Sequence, residues 1–159
     1  MTEKATFGAG CFWGVEMRFR EMDGVTDATV GYMGGHVDHP SYKQVCTDRT
    51  GHAEVCQVVF DPERIGYEAL VRAFFELHDP TQVDRQGPDV GSQYRSVVFV
   101  HDETQRRIAE SVKAELDQSG RFKAPVATSI ESAKAFWPAE DYHQQYLAKN
   151  GGSCSIPGL

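Results

Sequence analysis

No stretch of this 159-residue chain approaches the roughly 20 consecutive apolar residues that a membrane-spanning helix needs. Positive charge is also scarce. Sixteen Lys and Arg face 23 Asp and Glu, a net charge of −7, so the composition offers no basic surface to nucleic acid or anionic lipid. Cysteine is limited to four residues, and the first ten residues lack a basic segment followed by an apolar one. A secreted disulfide framework is therefore not expected; the thiols read as reduced, with reactive roles, in a soluble cytoplasmic protein. Internal repeats, low-complexity runs and linkers are missing as well. Residues 1–159 are thus expected to form a single domain, large enough to bury its own core.

The apolar pattern that is present alternates between strand and helix periods. Lys4–Gly8 reads as a short strand, followed by a helix with Phe12, Val15, Phe19 and Met22 on one face and Gly24 as its stop. Val25–Met33 is rich in β-formers, Ser41–Cys46 reads as a short helical turn, and Ala53–Phe60 alternates with Glu54, Cys56, Val58 and Phe60 on one face. Tyr67, Leu70, Val71, Phe74, Phe75 and His78 make a helical stripe that Asp79-Pro80 closes. Thr81–Gln93 has the composition of a loop. Val97–Val100 is a strand, and Asp102–Gln105 has capping-box spacing before a helix carrying Ile108, Val112 and Leu116. Val126–Ile130 reads as a weaker strand and Tyr142–Leu147 as a short helix, ahead of a glycine-rich tail over 148–159 expected to be mobile. The class is α+β, with helices packed on one mixed sheet.

Within this pattern Cys11 occupies the junction of the first strand and the first helix, with Phe12 and Trp13 directly after it. Backbone N–H groups at a helix N-terminus stabilise a thiolate, which makes Cys11 a candidate nucleophile. The same residues also suit an inert thiol packed among core aromatics. Cys154 follows Gly151-Gly152, and a flexible tail can bring it to Cys11, although an idle terminal thiol fits equally. Glu54 opens an apolar strand, where desolvation favours a protonated general acid; a solvated carboxylate at a strand edge is the alternative. Tyr42 and Tyr94 can donate hydrogen bonds to a substrate oxygen or simply pack their rings, and Asp89 lies in a Gly/Pro-rich loop where it can serve turn geometry. Cys46, His52 and Cys56 give a C-x5-H-x3-C spacing that does not match the close pairs of structural zinc, so neither metal nor cofactor is expected.

Gly10-Cys11-Phe12-Trp13-Gly14, Gly31-Tyr32-Met33-Gly34-Gly35, Ser41-Tyr42, Gly51-His52-Ala53-Glu54, Asp79-Pro80-Thr81, the run from Asp84 to Ser96 and Tyr142 to Leu147 occur in this order over nearly the whole chain. Together they closely resemble the A-type peptide methionine sulfoxide reductases, which reverse the oxidation of one methionine sulfoxide epimer. The resemblance implies a two-layer α/β sandwich of ferredoxin-like type. It implies that Cys11 attacks the sulfoxide sulfur while Glu54, Tyr42 and Tyr94 protonate or hydrogen-bond its oxygen. It further implies a Cys11 sulfenic acid, a Cys11–Cys154 disulfide and recycling by a thioredoxin-like reductant, with oxidised proteins and free methionine sulfoxide as substrates. Phe12 and Trp13 would enclose the substrate methyl group, and Asp89 would bind substrate polar atoms or position a tyrosine. The expected enzyme is a monomer that repairs oxidative damage. A thiol protein that binds oxidised partners without turnover is the competing reading.

Overall fold

Residues 1–150 are the part of the chain that the computed structural model describes, so Cys154 and the rest of the tail over 151–159 lie outside the described residues. The elements run β1 (Glu3–Ala9), α1 (Phe12–Arg20), β2 (Val25–Met33), α2 (Tyr42–Val45), β3 (Ala53–Phe60), α3 (Tyr67–Glu76), β4 (Arg85–Gln86), β5 (Asp89–Val90), β6 (Ser96–Val100), α4 (Glu103–Gln118), β7 (Ser129–Ser132), β8 (Trp137–Pro138) and α5 (Tyr146–Asn150). Six strands form one mixed sheet in the order β7-β6-β1-β3-β2-β8, with β7 parallel to β6 and the other pairs antiparallel. The β1-α1-β2-β3-α3-β6 portion is a split βαβ arrangement, the ferredoxin-like topology. None of the described helices is long and apolar enough to cross a membrane.

Alternation along the strands decides which side chains meet the helices. Cys56, Val58 and Phe60 of β3 join the helix-side core, whereas Ala53 and Val55 face a smaller cluster with Met33, Val97 and Phe99. Phe7 of β1 lies at the centre of the main core, its ring 5.0 Å from Phe19 of α1 and 5.2 Å from Phe74 of α3. Burial of this apolar stripe, rather than helix propensity, is what holds helices as short as α1 and α3 in place.

Three departures from the sequence pattern have local causes. The loop over Thr81–Gln93 contains a hairpin, because Arg85-Gln86 and Asp89-Val90 pair around Gly87 at positive φ. The strand expected at Val126–Ile130 begins at Ser129 instead. Val126 N–H donates to Asp117 and Ala127 N–H to the Pro80 carbonyl, so these residues tie the chain to the end of α4 and to the segment after α3 before it reaches the sheet. The helix expected at Tyr142–Leu147 divides into a 3-10 turn at Asp141–His143 and α5, which carries 148–150 as helix. Gln145 breaks it at φ 52°, with its N–H donating to buried Glu16 at 2.7 Å. Beside it, the Gln144 side chain behaves as a piece of strand: its oxygen accepts from Val30 N–H and its amino group donates to the Val30 carbonyl, both at 2.9 Å.

Just past α3, His78 links three elements. A carbonyl can only accept, so His78 Nδ1–H donates to Phe74 O at 2.7 Å; Nε2 then accepts from the Ser96 hydroxyl, also at 2.7 Å, and Ser96 accepts from Thr128. Burial lowers its pKa from 6.5 to about 4. The unfolded chain therefore binds the proton more tightly, and stability that is fully present above pH 6.5 is lost as pH falls towards 4. Chemical denaturation at pH 7 and pH 5 is expected to show about 2 kcal/mol more acid destabilisation in the wild type than in H78Q. Equal pH dependence of the two proteins would remove His78 from this role.

Candidate active site

Cys11 is the N-cap of α1 and is partly exposed. The turn that places it depends on Gly10, whose φ of +90° disfavours any side chain and whose Cβ would lie 2.8 Å from the Gln86 Cβ. β1 pairs with β3 as far as Phe7 opposite Cys56, and two residues further the same register brings Glu54 beside this turn. Glu54, 1% exposed, accepts a hydrogen bond from Phe12 N–H at 3.3 Å. One of the N–H groups left over at the start of α1 thus holds the carboxyl next to the cysteine.

Two tyrosines converge from loops. Tyr42 is the first residue of α2, whose Ser41–Gln44 capping box closes both ways: Gln44 N–H donates to Ser41 Oγ at 3.1 Å and Ser41 N–H to Gln44 Oε1 at 2.8 Å. Tyr94 ends the 3-10 turn Ser92–Tyr94, which is fastened by Arg95 to the carbonyls of Ser92 and Gly51 and by Asp48 to Ser92 N–H. Burial, followed by the electrostatic effect of Glu54 in its ionised form, pushes both hydroxyls well above the ordinary tyrosine range. Both therefore keep their protons and remain hydrogen-bond donors at physiological pH. The charges of Cys46, Asp89 and Cys11 also act on Tyr94, so Asp89 in the 85–90 hairpin reaches the same place.

Aromatic rings close the remaining side. Phe12, 1% exposed, lies 5.8 Å from Tyr32 and 6.3 Å from Tyr42 between ring centroids; Trp13 stacks on Tyr146 at 3.8 Å. Between them sits His143. From the sequence it reads as a surface or hydrogen-bonded histidine; it is hydrogen-bonded but buried, with Trp13 Nε1–H donating to its Nδ1 at 2.9 Å and its ring 4.4 Å from Tyr42. This fixes the Nε2–H tautomer, and burial lowers the tendency of the ring to take a second proton.

Cys11, Glu54, Tyr42, Tyr94, Phe12, Trp13 and Asp89 are thus gathered at one end of the sheet, whereas Cys154 lies outside the described residues. Tyr32, Glu140, His143 and Tyr146 join them without having been singled out by spacing. The other thiols divide. Cys46 is exposed at the end of α2 and within hydrogen-bonding reach of Tyr42, but Cys56 is fully buried and its thiol is pushed far above the ordinary range by that burial. His52 donates Nε2–H to Val37 O at 2.7 Å and accepts from Gly35 N–H at 3.0 Å, which assigns it to holding the Gly34-Gly35 loop.

The family described as peptide methionine sulfoxide reductase matches residues 3–157. The peptide methionine sulfoxide reductase MsrA of Methanoculleus marisnigri is 59% identical over 150 residues, which cover 94% of this chain and 92% of that protein. Among solved structures, Mxr1 from Saccharomyces cerevisiae in reduced form aligns with a TM-score of 0.91 at 38% identity, over 98% of this chain and 90% of that one. Mxr1 in complex with Trx2 aligns with a TM-score of 0.66 at 28% identity, over 96% and 86%. A match of this extent, on a chain that sets a helix-capping cysteine beside a buried carboxyl, means that the protein belongs to the A-type peptide methionine sulfoxide reductases, enzymes that reduce methionine sulfoxide.

Proposed function

We propose that this chain reduces the S epimer of methionine sulfoxide, free or within proteins, with Cys11 as nucleophile, and so repairs oxidative damage in the cytoplasm as a monomer. The observation that carries the reading is the meeting of Cys11 at the start of α1 with Glu54, held on Phe12 N–H, and with two tyrosine hydroxyls that keep their protons. A sulfoxide oxygen leaves poorly until it is protonated. The Cys11 thiolate attacks sulfur while Glu54 delivers a proton to oxygen and Tyr42 and Tyr94 hydrogen-bond it. The protonated oxygen then passes to the Cys11 sulfur as the sulfoxide S–O bond and the S–S bond formed in the attack both break. Methionine departs with the S–S electron pair, and Cys11, oxidised by the two electrons the sulfoxide has gained, is left as a sulfenic acid. Phe12 and Trp13 form the apolar wall for the methyl group. Asp89 binds substrate polar atoms or positions a tyrosine, a reading supported by its electrostatic influence on the Tyr94 hydroxyl.

In the second half of the cycle the Cys154 thiol condenses with the sulfenic acid, releasing water and leaving a disulfide. A thioredoxin-like dithiol then exchanges with that bond and takes up the oxidation. The complex of the related Mxr1 with Trx2 supports a reductant of this kind. One equivalent of methionine S-sulfoxide, followed by mass spectrometry of the intact protein, tests both halves. Wild type is expected to lose two hydrogens, with the bond mapped to Cys11 and Cys154, and C154S to gain one oxygen while still releasing one methionine. A wild-type disulfide from Cys11 to Cys46 or Cys56 would refute the tail relay, and an unchanged mass would refute the sulfenic acid.

A further inference from the structure

Tyr42 belongs to a helix of only four residues, and a single turn is not stable by itself. Of the N–H groups that open it, Gln44 N–H is taken locally by Ser41, but Tyr42 N–H donates to Glu140 Oε2 at 3.0 Å, across 98 positions of sequence. The second carboxylate oxygen, Oε1, accepts from the Tyr32 hydroxyl, also at 3.0 Å. Tyr32 lies on β2 fully buried, and its cross-strand partner on β3 is Glu54. Glu140 itself is held independently of Tyr42: Ala139 N–H donates to Val30 O, and the Glu140 carbonyl accepts from His143 N–H, both at 2.9 Å.

We infer that Glu140 is the positioning residue for Tyr42: one carboxylate joins the backbone of the tyrosine to the strand pair that carries Glu54, and so sets the separation of the two groups offered to the substrate oxygen. The inference rests on the reading of Tyr42 as an oxygen donor. Ring contacts with Phe12 and His143 limit the tilt of the phenol, and the hydrogen bond at its own N–H fixes the backbone from which it extends. Burial raises the pKa of Glu140, yet hydrogen bonds from Tyr42 N–H, its own N–H and the Tyr32 hydroxyl, with the electrostatic help of His143, outweigh it and hold the carboxyl below the usual range, which favours an ionised bridge. Placement errors near 1 Å can slow an enzymatic step by about 100-fold, which gives such a bridge room to matter.

The test is a cycle of E140A and Y42F, with methionine formation followed in a single turnover over a range of sulfoxide concentrations. E140A is expected to slow the saturated rate about tenfold and to leave the half-saturating concentration within about threefold. E140Q should remain within about threefold of wild type, because its amide oxygen accepts from Tyr42 N–H and its amino group donates to the Tyr32 oxygen. In the Y42F background E140A should cost almost nothing further, since the group it positions is already gone. Costs that multiply in the double variant would show that Glu140 acts only on general stability and overturn the assignment. A Y42F rate equal to wild type would instead overturn the donor reading of Tyr42, and this inference with it. Should E140A fail to fold, E140D serves in the same cycle, keeping the charge on a stem too short to hold both partners.

Discussion

Cys11→Ser is expected to lower turnover of methionine sulfoxide by on the order of 10³-fold or more, with amino-acid analysis of the methionine released as the measurement. A serine hydroxyl has no accessible anion near neutral pH and cannot accept oxygen as a sulfenic acid does. The substitution is unusually free of a folding objection. Position 11 is the N-cap of α1, where cysteine makes no side-chain capping bond and serine is among the preferred residues, so the variant should be as stable as the wild type or more so. Retention of a tenth of the activity in a folded variant would reassign the nucleophile.

Glu54→Gln should slow the sulfoxide-reduction step by about 100-fold. Glutamine keeps the size of the side chain and leaves an oxygen for Phe12 N–H, so the capping contact at the start of α1 survives while the transferable proton is lost. Rapid-quench single turnovers isolate this step from recycling by the reductant. An unchanged rate would leave Glu54 with a structural task, accepting the Phe12 N–H.

Most of the frame is legible in the apolar pattern. The limits of β2 coincide with the β-rich run Val25–Met33, and α1, α3 and α4 follow from stripes of buried residues three and four apart. Cys11, Glu54 and Tyr94 stand out for another reason: each follows within three residues a glycine at positive φ, Gly10, Gly51 or Gly91, whereas Tyr42 is marked by the Ser41–Gln44 capping box. Glu140, His143 and Gln144 are not legible. They act through hydrogen bonds to Tyr42, Trp13 and Val30, with 98 to 130 positions between the partners, and neither helical nor strand periodicity encodes such a contact. Spacing alone also misleads. Asp102 does cap α4, but Gln105 turns its amide to His101 N–H and the Lys4 carbonyl, and the complete capping box lies at Ser41–Gln44, where the S-x-x-Q signal stands in the sequence.

Gln144 has a consequence outside catalysis. β2 lies next to the sheet's outer boundary, covered over Gly31 and Tyr32 by the two-residue β8, and at Val30 the backbone donor and acceptor are closed by the glutamine amide. An open boundary there would be a template for another extended chain. The segment that holds Glu140 against Tyr42 and His143 against Trp13 also closes this boundary, and loosening it is expected to produce two defects together: a slower enzyme and a stickier one.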